Sequence, residues 1–120
     1  MSAQFFVQPI PEINVKELDE LLQTLPNHQL QLIDVREPEE IEMAKIEGFM
    51  NYPLSQYSQW SEQILVELDA TEETLVLCHH GVRSAQMCQW LIRQGFTQVK
   101  NIIGGIDAYS IYVNPQVPRY

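Results

Sequence analysis

Thr74-Leu75-Val76-Leu77-Cys78-His79-His80-Gly81-Val82-Arg83-Ser84 is the stretch that decides the fold. Thr74 to Cys78 is a short apolar run and reads as a central strand. His79 to Val82 form a loop containing one glycine, and a helix then runs from Arg83 or Ser84 to about Gln94, where Gly95 supplies the C′ stop. A strand feeding through a tight loop straight into a helix is a β–α unit, which belongs to parallel sheets covered by helices.

The segments on either side repeat that alternation. Toward the N-terminus, a short extended lead precedes Asn14, which can cap a helix with Val15, Leu18, Leu21, Leu22 and Leu25 on one face, ended by Pro26-Asn27. Leu30 to Val35 reads as a strand buried on both faces for most of its length. Glu37-Pro38-Glu39-Glu40 starts a short helix, with proline in the first turn and acids where the dipole favours them. Gly48 limits it, and Phe49 to Tyr52 reads as a short strand closed by Pro53. Ser55 opens a helix to about Leu68 that stacks Trp60, Ile64 and Leu68. Beyond the central helix, Gln98 to Ile102 reads as the last strand and Gly104-Gly105 precede a helical turn through Tyr109. The tail 111–120, with Pro115 and Pro118, is expected to be irregular. The expectation is an α/β fold with about five strands, mostly parallel, helices on both faces, and right-handed crossovers.

Composition narrows the function. The 120 residues suffice for one domain with its own core, spanning 1–120, without disulfides or metal. Seven Lys and Arg against sixteen Asp and Glu give a net charge of -9, the wrong sign for a binder of nucleic-acid phosphates or anionic lipid. Two cysteines make no disulfide framework, so a reducing compartment is expected. The first residues lack a cationic n-region, and no stretch is long and apolar enough to cross a bilayer. A soluble cytoplasmic protein is the expectation, with no nucleic-acid or membrane partner.

Ligands of open α/β sheets bind beyond the carboxyl ends of strands, which directs attention to Cys78. Unpaired first-turn amides, the helix dipole and Arg83 all favour thiolate over thiol there. Gly81 lets the loop curl so that successive N–H groups converge on an anion. Strand, cysteine, loop, arginine and helix together make a cradle for a charged sulfur or oxyanion. A lone buried cysteine is otherwise a small hydrophobe; the register of Gly81, Arg83 and the helix start is what lifts Cys78 above that reading.

Three segments carry a family resemblance. Leu32-Ile33-Asp34-Val35-Arg36-Glu37-Pro38-Glu39-Glu40, then Cys78-His79-His80-Gly81-Val82-Arg83-Ser84-Ala85, then Val99-Lys100-Asn101-Ile102-Ile103-Gly104-Gly105-Ile106-Asp107-Ala108-Tyr109 resemble the successive signatures of a rhodanese domain, over about residues 10–110. The resemblance implies a five-stranded parallel sheet flanked by helices, and a sulfurtransferase. In that scheme Cys78 takes a sulfane sulfur from thiosulfate or a persulfide, carries it as a persulfide, and passes it to a thiophilic acceptor: cyanide in vitro, thiols or a carrier protein in vivo. Such transfer is ping-pong through a covalent intermediate. Amides from about His79 through His80, Gly81 and Val82 to Ser84 would stabilise the charged sulfur, and Arg83 would attract an anionic donor such as thiosulfate. A protein donor or carrier with a basic face would be drawn by the acidic surface. No cofactor is expected.

Two rival readings accompany this one. A rhodanese-like binding or regulatory module would need neither nucleophile nor arginine. Phosphatases and arsenate reductases of the same fold have a loop one residue longer between Cys and Arg than the four residues His79 to Val82. The chain departs from the family at Lys45, where histidine is usual, at Phe49, where alanine is usual, and at Tyr109, where tryptophan is common; these changes bear on packing.

Other residues have simpler expected roles. His79 and His80 beside Cys78 seldom offer tetrahedral geometry, only His28 and Cys88 remain as soft ligands, and no metal is expected. Ser84 reads as a local cap at the helix start, with direct contact to a persulfide as the sharper alternative. Cys88 reads as core packing rather than a resolving thiol. The resemblance makes Asp34 and Arg36 a structural ion pair or loop support. Glu37 to Glu47 reads as a solvated face.

Overall fold

Alternation of strand and helix is carried through the whole described chain. The computed structural model describes residues 9–25 and 29–120. In chain order the elements are β1 (Glu12–Ile13), α1 (Val15–Thr24), β2 (Gln31–Asp34), α2 (Pro38–Met43), β3 (Met50–Asn51), a 3₁₀ turn (Leu54–Gln56), α3 (Tyr57–Glu67), β4 (Thr74–Leu77), α4 (Val82–Arg93), β5 (Val99–Ile102) and α5 (Gly105–Tyr112). The five strands form one sheet in the order β1-β5-β4-β2-β3, with every neighbouring pair parallel.

The two-residue period of the strands divides the core. Leu32, Leu75, Leu77 and Ile102 point to one face, where Val15 and Leu18 of α1 and Ile106 and Tyr109 of α5 cover them. Ile33, Val76 and Val99 point to the other, under Trp60 and Ile64 of α3 and Met87, Cys88 and Leu91 of α4. Both faces are therefore covered, which is why β4 reads as a near-continuous apolar run and why even Gln31 and Asp34 of β2 are buried.

Local signals set most boundaries. Asn14 caps α1, accepting from the Glu17 N–H at 2.8 Å, while the Glu17 carboxylate accepts from the Asn14 N–H at 3.0 Å. The helix stops at Thr24 with Leu25 extended; the expected Pro26-Asn27 stop lies outside the described residues. Ser55 does not open α3. Pro53 imposes a 3₁₀ turn first, and the Ser55 hydroxyl is taken by the Glu37 carboxylate. α5 extends past Tyr109 to Tyr112.

The tail expected to be irregular from 111 is therefore helical at Ile111 and Tyr112; beyond Tyr112 it has neither helix nor strand but is held to the body. Ser110 donates to the Val117 carbonyl, Val117 is buried, and Arg119 pairs with Asp107 at 2.8 Å. These contacts return the chain across the carboxyl ends of the strands.

Candidate active site

Cys78 follows the last residue of β4, between the sheet and α4, and is 1% exposed. Gly81 has φ +104°, a left-handed turn that a side chain resists, and its N–H donates to Cys78 Sγ at 3.0 Å. Because Gly81 completes the reversal, α4 begins at Val82, earlier than the expected Arg83 or Ser84. The first-turn amides of α4, which have no partner within the helix, thus start immediately after the loop.

A second helix supports the loop from behind. Ile106 and Asp107, at the start of α5, donate their N–H groups to the carbonyls of Cys78 at 2.9 Å and His79 at 3.1 Å. The approach is close enough that a Cβ on Gly105 would lie 2.3 Å from the His79 oxygen and 2.4 Å from the Cys78 oxygen. Turning both carbonyls toward α5 leaves the sulfur side of the loop to N–H donors.

Ser84 occupies a different place from the one expected. It makes no cap; it is fully buried in the first turn of α4, with Oγ 3.2 Å from Cys78 Sγ and a hydrogen bond to Asn101 Oδ1. The other end of the Asn101 amide donates to the Gly81 carbonyl at 3.0 Å. Gly81 caps the helix because the left-handed turn, not a side chain, ends the loop.

Arg83 also departs from expectation. It is not a free cation: Nη1 and Nη2 bond the two Glu40 oxygens at 2.7 and 3.0 Å. Glu40 further accepts from the Tyr120 hydroxyl at 2.8 Å and the Glu37 N–H at 3.0 Å. This set of donors, with the Arg83 guanidinium foremost, holds the Glu40 carboxyl down at about 2, and the same hydrogen bonds raise Arg83 above its ordinary value. So the stretch Glu37 to Glu47 is not simply a solvated face. Glu40 is turned inward, whereas Glu39, Glu42 and Glu47 are exposed.

Beneath this pair, Arg36 is fully buried and grips Asp34 through Nε at 3.0 Å and Nη2 at 2.8 Å. Its remaining donors reach the Ala44 carbonyl at 2.8 Å and the Tyr120 oxygen at 2.9 Å. Tyr120 therefore links both arginine–carboxylate pairs, and its ring stacks on His79 with centroids 4.0 Å apart and planes 7° apart.

His79 lies between Tyr120 and His80, whose ring centroid is 3.9 Å away. Burial first, and His80 second, push the His79 imidazole below its ordinary value. Its Nε2 has no hydrogen-bond partner among the described residues. His80 Nε2 lies 3.8 Å from Asp107 Oδ2. His79, His80 and Asp107 each place a ligand atom within 4.8 Å of the others, but Asp107 is engaged by Arg119. His28 lies outside the described residues. Val82 stands on the rim, 70% exposed. Cys88 is fully buried in the core under α4, and burial pushes its thiol up to about 12.

The folded chain adds Glu40, Asn101, Asp107 and Tyr120 to the residues expected. Asn101 carried a weak signal, an uncharged amide beside Lys100 in the short strand Val99–Ile102. Glu40 and Tyr120 carried none beyond their charge and ring.

Comparison with known proteins places this arrangement. The model of the rhodanese-like domain family matches residues 15–111. The chain is 46% identical over 114 residues to rhodanese-like/PpiC domain-containing protein 12, chloroplastic, of Arabidopsis thaliana, covering 94% of this chain and 38% of that protein. It is 32% identical over 81 residues to thiosulfate sulfurtransferase GlpE of Vibrio cholerae, covering 68% of this chain and 73% of the other. Among solved structures, a rhodanese-related protein from Thermoplasma volcanium superposes with a TM-score of 0.71 at 28% identity, covering 88% and 95% of the two chains. This chain spans little more than a third of the Arabidopsis relative's length. A five-stranded parallel sheet with its cysteine loop after β4, matched along most of its length, belongs to the rhodanese-like domain family.

Proposed function

We propose that this protein is a sulfurtransferase in which Cys78 is the nucleophile. Its thiolate attacks the sulfane sulfur of thiosulfate or of a persulfide, an Sγ–S bond forms as the donor's S–S bond breaks, and sulfite or a thiolate leaves. The persulfide on Cys78 is then attacked at its outer sulfur by cyanide in vitro, or by a thiol or a carrier protein in the cell, which regenerates the Cys78 thiolate.

The observation that carries this reading is the hydrogen bond from the Gly81 N–H to Cys78 Sγ at 3.0 Å. A donor already aimed at the sulfur costs no reorganisation when the charged sulfur reacts. In this reading the segment His79, His80, Gly81, Val82 and Arg83 receives the donor, chiefly through its backbone, and buried Ser84 stands beside the sulfur. Engagement of Arg83 by Glu40 favours sulfur over phosphate or arsenate chemistry, which needs a cation free to clamp several oxygens. A reducing compartment such as the cytoplasm suits a protein whose two cysteines are both free thiols.

Intact-mass analysis after incubation with a sulfane donor tests the reading. One added sulfur on Cys78, removed by cyanide and absent in Cys78→Ala, is the expected result. Full transfer activity in Cys78→Ala overturns it.

A further inference from the structure

Thiosulfate approaches with two negative charges, and the sulfur it must meet carries a third. Something at the site has to offset that repulsion, since charges in a partly buried cleft interact more strongly than in water. The arginines on the segments converging here are Arg36, Arg83 and Arg119, and each already faces a carboxylate. Arg36 bonds Asp34 at 2.8 Å, Arg83 bonds Glu40 at 2.7 Å, and Arg119 bonds Asp107 at 2.8 Å. His80 shares Asp107, and burial holds His79 toward its neutral form. The loop amides remain, but they supply only partial charges, and that of Gly81 already donates to Sγ.

Glu40 is the decisive member. Two of its donors are the Arg83 nitrogens, and it is held in place from outside the pair by the Tyr120 hydroxyl at 2.8 Å and the Glu37 N–H at 3.0 Å. A carboxylate gripped by three separate residues does not swing aside when an anion arrives.

We propose that Glu40, locked by Tyr120, is a specificity-determining positioning residue that withholds Arg83 from the donor and so makes the site select persulfides over dianionic donors. This rests on the sulfurtransferase reading of Cys78. A persulfide R–S–S–H brings at most one charge at its reacting end. The Cys78 thiolate attacks its outer sulfur, the new Sγ–S bond forms as the donor S–S bond breaks, R–S⁻ departs, and the proton stays on the transferred sulfur. No oxidant or reductant is consumed, because the sulfane sulfur passes across at constant oxidation state.

Loading of Cys78 by inorganic thiosulfate and by glutathione persulfide, followed by intact mass in the full chain and in Glu40→Gln, is the test. Glu40→Gln removes the negative charge that neutralises Arg83 and breaks the two-point grip, so kcat/KM for thiosulfate should rise about tenfold, through KM, while loading by the persulfide stays within about twofold. Equal change with both donors, or a fall with thiosulfate, overturns the proposal. A second measurement needs no variant: sulfate, a dianion of similar charge, should not slow loading of the unaltered protein by glutathione persulfide. Competition by low-millimolar sulfate would reveal a free anion site and overturn it. Failure of both donors to place sulfur on Cys78 removes the underlying reading of Cys78, and the proposal with it.

Discussion

Ser84 places its hydroxyl between Cys78 Sγ, 3.2 Å away, and Asn101 Oδ1, to which it is hydrogen-bonded. The Asn101 amide cannot turn over, because its Nδ2 donates to the Gly81 carbonyl at 3.0 Å. One hydroxyl proton thus serves two sites. With that proton on Asn101, the sulfur contact is satisfied by a Cys78 S–H donating to Ser84. When the sulfur is anionic, the proton must turn to it and leave Asn101. Ser84→Ala removes the donor to the anion, and a hydrogen bond to a charged group contributes about 1.5–3 kcal/mol. Alkylation of Cys78 by iodoacetamide at pH 7 should therefore slow by about tenfold or more. Asn101→Ala should speed it, because the hydroxyl is freed for the sulfur. The same direction of change in both variants would refute the shared-proton arrangement.

Gly105 is fixed by contact as well as by backbone conformation. Its φ is +61°, and a Cβ there would fall 2.3–2.5 Å from the carbonyl groups of Cys78 and His79. Gly105→Ala should cost about 2–4 kcal/mol, left-handed strain plus overpacking against backbone that cannot yield. Gly95 is the control. It has φ +101° with nothing within 4 Å of its Cβ position, so Gly95→Ala should cost only about 1–2 kcal/mol. Urea unfolding of both variants separates the two contributions, and equal losses would show that the crowding at Gly105 relaxes.

Residue pattern alone made the sheet legible because its determinants are local. The apolar runs Leu32-Ile33 and Leu75-Val76-Leu77 are bounded by turns, Asn14 precedes a 3.6-residue stripe, and Gly81 interrupts the run from strand to helix. The placement of Cys78 between β4 and the Gly81 turn was legible for the same reason, since the residues that set it lie within six positions. Glu40 and Tyr120 were not. Glu40 looks like its exposed neighbours Glu39 and Glu42 until the fold sets Arg83 opposite it, forty-three residues away in sequence. Tyr120 reaches the site only because Val117 and Arg119 pin the tail, and no periodicity marks such a return. Ser84 was misread by proximity: a serine in a first helical turn commonly caps, but here a glycine in the left-handed region already ends the loop.

Cys88 should be silent toward thiol reagents. It is fully buried under α4, and burial, followed by the nearby Cys78 charge, pushes its thiol up to about 12. Native protein at pH 8 should show one reacting thiol on a time scale where the unfolded chain shows both. Cys88→Ala should leave sulfur transfer unchanged while lowering stability by about 1 kcal/mol, the usual effect of trimming one buried heavy atom. Rapid modification of two thiols in the folded protein would refute the placement.

Acid should attack the fold through Glu40. Its carboxyl is lowered from the ordinary 4.5 to about 2, chiefly by the Arg83 hydrogen bonds. A group with a depressed folded value stabilises the protein fully above its unfolded value, and that contribution fades as pH falls through the folded one. Stability from the Glu40–Arg83 pair should thus be intact above about pH 5, decline below it, and be gone under about pH 2. Urea midpoints at pH 6 and pH 3 measure this directly, and Glu40→Gln, which cannot titrate, should lose less between the two pH values than the unaltered protein. Asp107, lowered by Arg119, leaves the variant some residual acid sensitivity. Tyr120→Phe supplies the graded case. It removes the hydroxyl that donates to Glu40 at 2.8 Å, so the folded value of Glu40 moves back toward 4.5, and the decline, which still begins near pH 5, should be smaller and end at a higher pH than in the unaltered protein. If Tyr120→Phe and the unaltered protein lose stability over the same pH range, the hydroxyl is not holding Glu40, and the link from the tail to the arginine on the cysteine loop is broken.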